Sequence, residues 1–436
     1  MKKIVLSALA ALTLGTVASN AADVRLYQDV HGQVFTQNAE GRVEIPLTNI
    51  RKTKKSITIV DTKSPEFVLG KQTHINMKFV ADDNPDMWLK AGVRIQGTFE
   101  NGHIEDLATG DTQSYHDAYL RRVRFEVAAG FNKYASFTMD VRNDKANFQD
   151  KGEQSFNVGD AYVKIKKPFA TSLVNFKLYR AKIDISRTET VKSARVIHYD
   201  RPHVADEAAQ YITHNRRGTN AQMYGNWEKK VHYQVAFGDG VYSGKFKTAK
   251  GETSTGLDQK NFFYGGKVVL SPFDGWEEKS RTETYFAQGK HFEIGAGYWK
   301  SSDIKLDEGI TVDHTLINLE MSAHYKGAFV QAEYFDFDGV VKDFTSLETG
   351  KSNGWYATSE YVFADYGFVA PFVRYESWDK FKDANGYDLT SKMAGVNWYL
   401  MGNSIKAGFT VQEDKYGSNI GNEKERRIKI TSQWFF

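Results

Sequence analysis

The chain has 436 residues, with 57 Lys and Arg against 54 Asp and Glu, and its small net charge of +3 gives no ground for a nucleic-acid partner. It contains no cysteine, so disulfides and cysteine-based metal sites are excluded and stability must come from hydrogen bonding and packing. A mean hydropathy of −0.51 sits beside 14% aromatic residues and 36 glycines. No stretch after Val17 could cross a bilayer as a helix, whereas a closed barrel satisfies every backbone group and needs only alternate residues to be apolar.

In chain order, Lys2 and Lys3 precede an apolar run from Ile4 to Val17 and the small-residue pattern Ser19-Asn20-Ala21. At about 14 residues the run is short of a membrane helix, and the order of its parts predicts a removable export signal over 1–21. Removing the two lysines leaves 55 basic against 54 acidic residues, a charge of +1. Residues 22–85 lack the regular alternation of the longer C-terminal part of the chain. Tyr27 to Phe35 reads as a small hairpin, Arg51 to Lys55 is a basic run, and Phe67-Val68-Leu69-Gly70 reads as one further strand. The segment is expected to be a periplasmic extension, with a plug inside the barrel as the alternative.

From 86 to 436 the sequence alternates with period two. Val93, Ile95 and Phe99 alternate with Arg94, Gln96 and Thr98, and Val123, Phe125 and Val127 with Arg122, Arg124 and Glu126. Sixteen strands are expected near 88–100, 117–128, 131–143, 158–167, 172–180, 218–228, 230–238, 261–271, 287–300, 313–325, 328–338, 353–363, 367–378, 389–400, 403–413 and 425–436. Tight connections such as Ala129-Gly130, Ser271-Pro272-Phe273, Lys326-Gly327 and Gly402-Asn403 separate longer stretches, as short periplasmic turns and long outer loops require. The reading is therefore all-β: a transmembrane antiparallel barrel of about sixteen strands in the outer membrane of a Gram-negative bacterium, both chain ends periplasmic, surrounded by lipid and lipopolysaccharide. In the last strand Ile428, Ile430, Trp434 and Phe436 share one face and Arg427, Lys429, Thr431 and Gln433 the other. Its terminal Phe436 resembles the signal that such barrels present to their assembly machinery.

Charges on the second face of so many strands need water and are expected to line a lumen. The first five strands place Lys90, Arg94, Arg122, Arg124, Arg142, Lys164, Lys166 and Lys177 there, against Glu126, Asp140 and Asp160. The third loop, 181–217, adds Lys182, Arg187, Lys192, Arg195, Arg201, Arg216 and Arg217 with His198, His203 and His214, against Asp184, Glu189, Asp200, Asp206 and Glu207. Folded into the lumen, it would narrow the channel and set its ion preference. Arg94, Arg122, Arg124, Arg142, Lys164, Lys177, Arg187, Arg195, Arg216 and Arg217 are the candidate pore-lining, anion-binding residues. Two readings stay open: basic rings that favour anions, or charges that pair with one another.

The stretch Trp88 to Arg142, with Leu89-Lys90-Ala91-Gly92-Val93-Arg94-Ile95-Gln96 and Leu120-Arg121-Arg122-Val123-Arg124-Phe125-Glu126, resembles the phosphate-selective porin O and P family. Asp160-Ala161-Tyr162-Val163, Gly238-Asp239-Gly240 and Glu293-Ile294-Gly295-Ala296-Gly297-Tyr298 extend that resemblance over roughly residues 85 to 436. It implies a sixteen-stranded, trimeric channel for small anions or polar solutes, with phosphate selected by a lysine cluster in the third loop and an arginine ladder. Lys182 and Lys192 are the only lysines between Ala181 and Arg217, so the loop part of that pattern is partly present.

Three competing readings differ in what they need. A sugar-specific porin would stack Tyr and Trp on its ligand, but Trp88, Trp227, Trp299, Trp355, Trp378 and Trp398 fall near strand ends, where girdle aromatics belong. An outer-membrane enzyme needs a nucleophile or acid held by histidine, and no such spacing is readable, so no catalytic residue, metal or cofactor is assigned. An adhesin predicts no conductance.

Overall fold

The computed structural model describes residues 27–28, 34–35, 40, 43–44, 57–60, 77–81, 84–146, 155–213, 216–241, 246–259, 261–273 and 281–435. The export signal at 1–21, the strand expected at Phe67 to Gly70, His214 and the terminal Phe436 lie outside them. Residues 1–56 form a unit of their own, in which Tyr27–Gln28 pairs antiparallel with Val34–Phe35 and with Val43–Glu44. The hairpin expected from Tyr27 to Phe35 is present.

The second unit is a closed antiparallel barrel. Its strands are β1 (Asn84–Asp106), β2 (Thr112–Gly130), β3 (Ala135–Ala146), β4 (Asn157–Lys166), β5 (Asn175–Arg180), β6 (Thr219–Trp227), β7 (Val231–Asp239) and β8 (Phe262–Leu270). The second half comprises β9 (Lys290–Leu306), β10 (Thr311–Tyr325), β11 (Ala328–Val341), β12 (Thr349–Tyr361), β13 (Val369–Asp379), β14 (Asp388–Asn403), β15 (Ile405–Tyr416) and β16 (Glu423–Phe435). Each strand pairs with its neighbour in sequence, and β16 closes on β1 from Glu423↔Asp106 to Phe435↔Arg94. The sixteen expected strands are all present. Upstream of them, Ile57–Val60 and Met77–Ala81 form a hairpin that pairs with the start of β1, Phe79 opposite Leu89.

Alternation decides which face is which. On β16, Lys429 is 2% and Gln433 0% exposed, while Ile430 is 57% and Trp434 46% exposed. On β1, Arg94, Gln96 and Thr98 are buried and Phe99 is exposed. The polar face points inward and the apolar face outward, the inverse of a soluble protein and what a lipid surround demands.

Three departures from the sequence reading have local causes. The ladder between β1 and β2 continues past the apolar residues to Glu105↔Thr112, because backbone pairing does not need apolar side chains, and the expected loop over 101–116 shrinks to 107–111. The connections at 107–111 and 307–310 are thus as short as the turns at the other end, so the contrast between short and long connections holds only in part. Gln96 pairs with Arg122 but Gly97 with Leu120, leaving Arg121 as the extra residue of a bulge and turning it inward beside Arg122. The connection after β8 is not the tight turn that Ser271-Pro272-Phe273 suggests: it runs over 271–289, and Arg281, Glu283 and Thr284 are buried.

The two faces predict opposite tolerances at adjacent residues. Ile430→Arg should cost about 2–4 kcal/mol by placing a charge in lipid, whereas Thr431→Arg should cost well under half of that. Equilibrium refolding into lipid vesicles measures both, and equal costs would contradict the assignment of faces.

Candidate pore site

The third loop, 181–218, carries two helices, α1 (Arg187–Thr190) and α2 (His203–Tyr211). Neither has a side-chain cap of its own. Carboxylates of the barrel wall take that role. Arg187 N–H donates to Glu320 (2.8 Å) and Glu333 (3.2 Å), and Thr188 N–H donates to Glu333 (2.9 Å). His203 and Val204 N–H groups donate to the two oxygens of Glu376, at 2.9 and 2.6 Å. The first turn of a helix exposes N–H groups and partial positive charge, so a fixed carboxylate there is favourable.

Side chains tighten this attachment. The Arg187 guanidinium is wholly buried and donates to Glu293 at 2.5 Å and to Gln331 at 2.7 Å. Asp200 accepts from Arg121 (3.0 Å) and Lys429 (2.6 Å), and although burial opposes its charge, these two cations hold its carboxyl well below the ordinary value. Loop carbonyls are also taken up: Ala194 O by Gln433, Val196 O by Lys406, Ile197 O by Asn397 and Asp200 O by Arg374, at 2.6 to 3.1 Å. The loop is therefore bonded to inward-facing side chains of both halves of the wall.

The connection between β8 and β9 meets the loop. Arg281 pairs with Asp184 (3.2 Å), Glu293 (2.9 Å) and Glu320 (2.9 Å), Glu283 accepts from Thr188 Oγ1 (2.7 Å) and Ile197 N (2.9 Å), and Thr282 O accepts from Arg187 (2.8 Å). Lys267 of β8 adds bonds to Asp184 and Glu320. Arg187, Lys267, Arg281, Asp184, Glu293 and Glu320 each have opposite charge against them, which is what makes their burial tolerable, while Glu283 is satisfied by the Thr188 hydroxyl and the Ile197 N–H.

Between the loop and β1 to β7 lies a cavity of about 220 Å³. Six of the ten candidate residues line it: Arg94, Arg124, Lys164, Lys177, Arg195 and Arg217. Lys182, Lys192 and Arg281 join them, so nine cationic side chains face four carboxylates, Glu126, Asp140, Asp160 and Asp184. Arg94 pairs with Glu126 and donates to Ser193 Oγ at 2.7 Å, Arg217 pairs with Asp160 at 2.5 Å, and Lys164 and Lys177 lie 5.3 and 5.0 Å from the Tyr224 ring. Burial, reinforced by Arg201, pushes the Lys182 pKa well below that of an ordinary lysine.

The other four candidates are engaged elsewhere. Arg122 donates to Gln96 (3.1 Å) and to Tyr199 O (3.2 Å), and Arg142 lies 3.9 Å from Asp144, which also faces Arg122 and Arg124. Arg187 is locked to Glu293, and Arg216 bridges Asp206 and Glu189. Arg281 falls outside the candidate set because it belongs to a connection that reads as a turn. Arg121 carries a legible signal: Leu120 and Val123, both apolar, stand three apart where strict alternation allows two or four. Trp299 and Trp378 are buried on the inner side, which corrects their assignment to the aromatic girdle; Trp227, Trp355 and Trp398 are exposed on the outer face. Among the described residues, no group of three or more His, Asp and Glu is placed to hold a metal ion.

A closed sixteen-stranded barrel with an apolar exterior, a polar interior and a long charged third loop defines the porin class of outer-membrane protein. Comparison with known proteins makes this specific. Residues 89–425 match the family described as phosphate-selective porin O and P, and the chain belongs to that family. An uncharacterized protein of Aquifex aeolicus is 26% identical over 398 residues, covering 85% of this chain and 92% of that protein. Among solved structures, an anion-selective porin from Comamonas acidovorans has a TM-score of 0.54 at 11% identity, covering 80% of this chain and 100% of its own. Salmonella typhi OmpF in complex with daunomycin has a TM-score of 0.50 at 14% identity, covering 80% and 98%. These two likenesses are of fold.

The Asp200 anchor has a definite pH signature. An aspartate with a depressed folded pKa contributes stability that is complete above its unfolded value near 3.8 and is lost as pH falls through the lower folded value. Protease accessibility of the third loop should therefore rise below about pH 4 in the unaltered protein. In Asp200→Asn the loop should already be more accessible at pH 7 and respond less to acid; equal protection of the two at pH 7 would contradict the anchor.

Proposed function

We propose that the protein is a passive, anion-preferring channel through which small anions and polar solutes, phosphate and other oxyanions among them, diffuse down their gradients. The observation that carries this reading is the charge of the 220 Å³ cavity, nine cationic side chains against four carboxylates. Lysine and arginine rings favour anions in a pore, and guanidinium groups hold oxyanions through paired N–H donors. Even with Lys182, whose pKa burial lowers, left out of the count, the cations outnumber the acids two to one. The anion-selective porin of similar fold supports the same preference.

In this reading the third loop folds into the lumen and narrows it, the cavity between loop and β1 to β7 is the selective passage, and Arg94, Arg124, Lys164, Lys177, Arg195 and Arg217 set the charge preference. Arg122, Arg142, Arg187 and Arg216 position the loop and its surroundings. Residues 1–21 are the export signal, both chain ends are periplasmic, residues 22–85 are a periplasmic extension, and the functional unit is a homotrimer in lipid and lipopolysaccharide.

Purified protein in a planar bilayer under a salt gradient should give stable conductance with a reversal potential of anionic sign. Lys164→Gln combined with Lys177→Gln should lower the chloride-to-potassium permeability ratio about two- to fivefold. Cation preference of the unaltered protein would overturn the proposal, and a silent barrel would favour an adhesin.

A further inference from the structure

Helix α2 also lines a second cavity, of about 300 Å³, separate in its lining from the cationic one. His203, Asp206, Glu207 and Tyr211 come from α2, Lys247 from the loop between β7 and β8, and Trp378 and Lys380 from the end of β13 and just beyond. Two of its charged groups are already committed: His203 Nε2 lies 3.3 Å from Asp414, and Asp206 pairs with Arg216. Glu207, Lys247 and Lys380 are different. None of them forms an ion pair or a side-chain hydrogen bond with another described residue, although all three line the same cavity. Burial raises the Glu207 pKa, with Lys247 and Lys380 acting against it from the other walls. Lys247 is held in place by its neighbours, with Thr248 N–H bonded to Glu252 O (3.0 Å) and Ala249 N–H to Val341 O (2.8 Å).

Two of the rings around the cavity, Tyr211 and Trp378, are not open platforms. Tyr211 stacks on His314 at 3.7 Å and donates its hydroxyl to Asp338 O at 2.6 Å. Trp378 donates to Ser352 Oγ at 2.9 Å and has the Lys380 ammonium over its ring at 4.8 Å. Sugar stacking needs a free ring face, which these two rings do not offer, and the uncommitted charges are one carboxylate and two ammonium groups above an apolar floor that includes Phe337, Val340 and Leu389. We propose that this cavity binds a small zwitterion, an amino acid or short peptide with an apolar side chain, whose ammonium pairs with Glu207 and whose carboxylate pairs with Lys247 and Lys380. The volume suits a ligand of that size, and two charge-assisted contacts of opposite sign reject a ligand that can make only one.

Isothermal titration of the full-length protein in detergent tests this without reading conductance, so it can fail while the channel assignment stands, and the reverse. The probes are phenylalanine, phenylethylamine and 3-phenylpropionate, which share the ring and differ in charge. Phenylalanine should bind at least about tenfold more tightly than either analogue. Glu207→Gln should bring it down to the level of 3-phenylpropionate, and Lys247→Met or Lys380→Met should bring it toward phenylethylamine, with far-UV circular dichroism confirming that each variant is folded. Equal affinity for the three probes, no measurable phenylalanine binding, an unchanged affinity in folded Glu207→Gln, or competition by maltose at the same concentrations would each overturn the proposal.

Discussion

Closure of the sheet is the constraint on which the rest of the structure depends. Once β16 pairs with β1, none of the sixteen strands has a free edge, and their backbone N–H and C=O groups pair from strand to strand without water. That frees the side chains to divide strictly between two surroundings. Ile428, Ile430 and Trp434 face outward while Lys429, Thr431 and Gln433 face inward, and the same division recurs around the ring. A ring of sixteen strands is wider than its own inward side chains can fill. The inward charges must then find partners in water or in polypeptide brought to them.

The third loop and the 281–289 segment supply bonding partners to these side chains, and the way they attach explains where the cations remain. Acids of the second half of the wall are occupied: Glu320, Glu333 and Glu376 accept the leading N–H groups of α1 and α2, and Glu293 accepts from Arg187 and Arg281. The first half offers the loop mainly arginines and lysines, which take its carbonyls and hydroxyls, as Arg94 and Arg122 do with Ser193 and Tyr199. Loop carboxylates are largely used within the loop or its attachments, Glu189 by Arg201 and Arg216 and Asp200 by Arg121 and Lys429. The cavity beside β1 to β7 consequently keeps a positive excess, set by how acids and bases are shared out around the ring.

Period-two alternation made the barrel legible, because a one-residue error would turn every side chain to the wrong face and the sequence tolerates few such errors. Where alternation fails locally, the sequence misleads. The bulge at Arg121 turns two consecutive arginines inward, and the Ser271-Pro272-Phe273 turn signal conceals a connection that delivers Arg281 to the centre of an ion-pair group. The candidate cations were legible as residues of the inner face or of the third loop but not as roles, since nothing in the sequence separates Arg187, sealed against Glu293, from Arg217, which lines the cavity. That difference depends on which acids stand opposite, and those acids are more than a hundred residues away from Arg187 along the chain. Trp299 and Trp378 misled for a different reason: Trp299 shares the parity of Glu293, and Trp378 that of Arg374 and Glu376, so alternation places both inward, and position near a strand end is the weaker signal.

A selective channel must bind its ion well enough to strip part of its water and weakly enough to release it. A cavity lined only by unopposed cations would meet the first condition and fail the second. Here several cations of the lining have a carboxylate close by: Glu126 against Arg94 and Lys192, Asp160 against Arg217, Asp184 against Arg281. Burial takes Lys182 further in the same direction by disfavouring its charged form. An anion entering the cavity would exchange with these carboxylates for donors that are already partly satisfied, so its gain on binding is a difference between two hydrogen-bonding partners and not the full value of either. The acids that seem at first to argue against anion passage are therefore the feature that would keep such an anion moving.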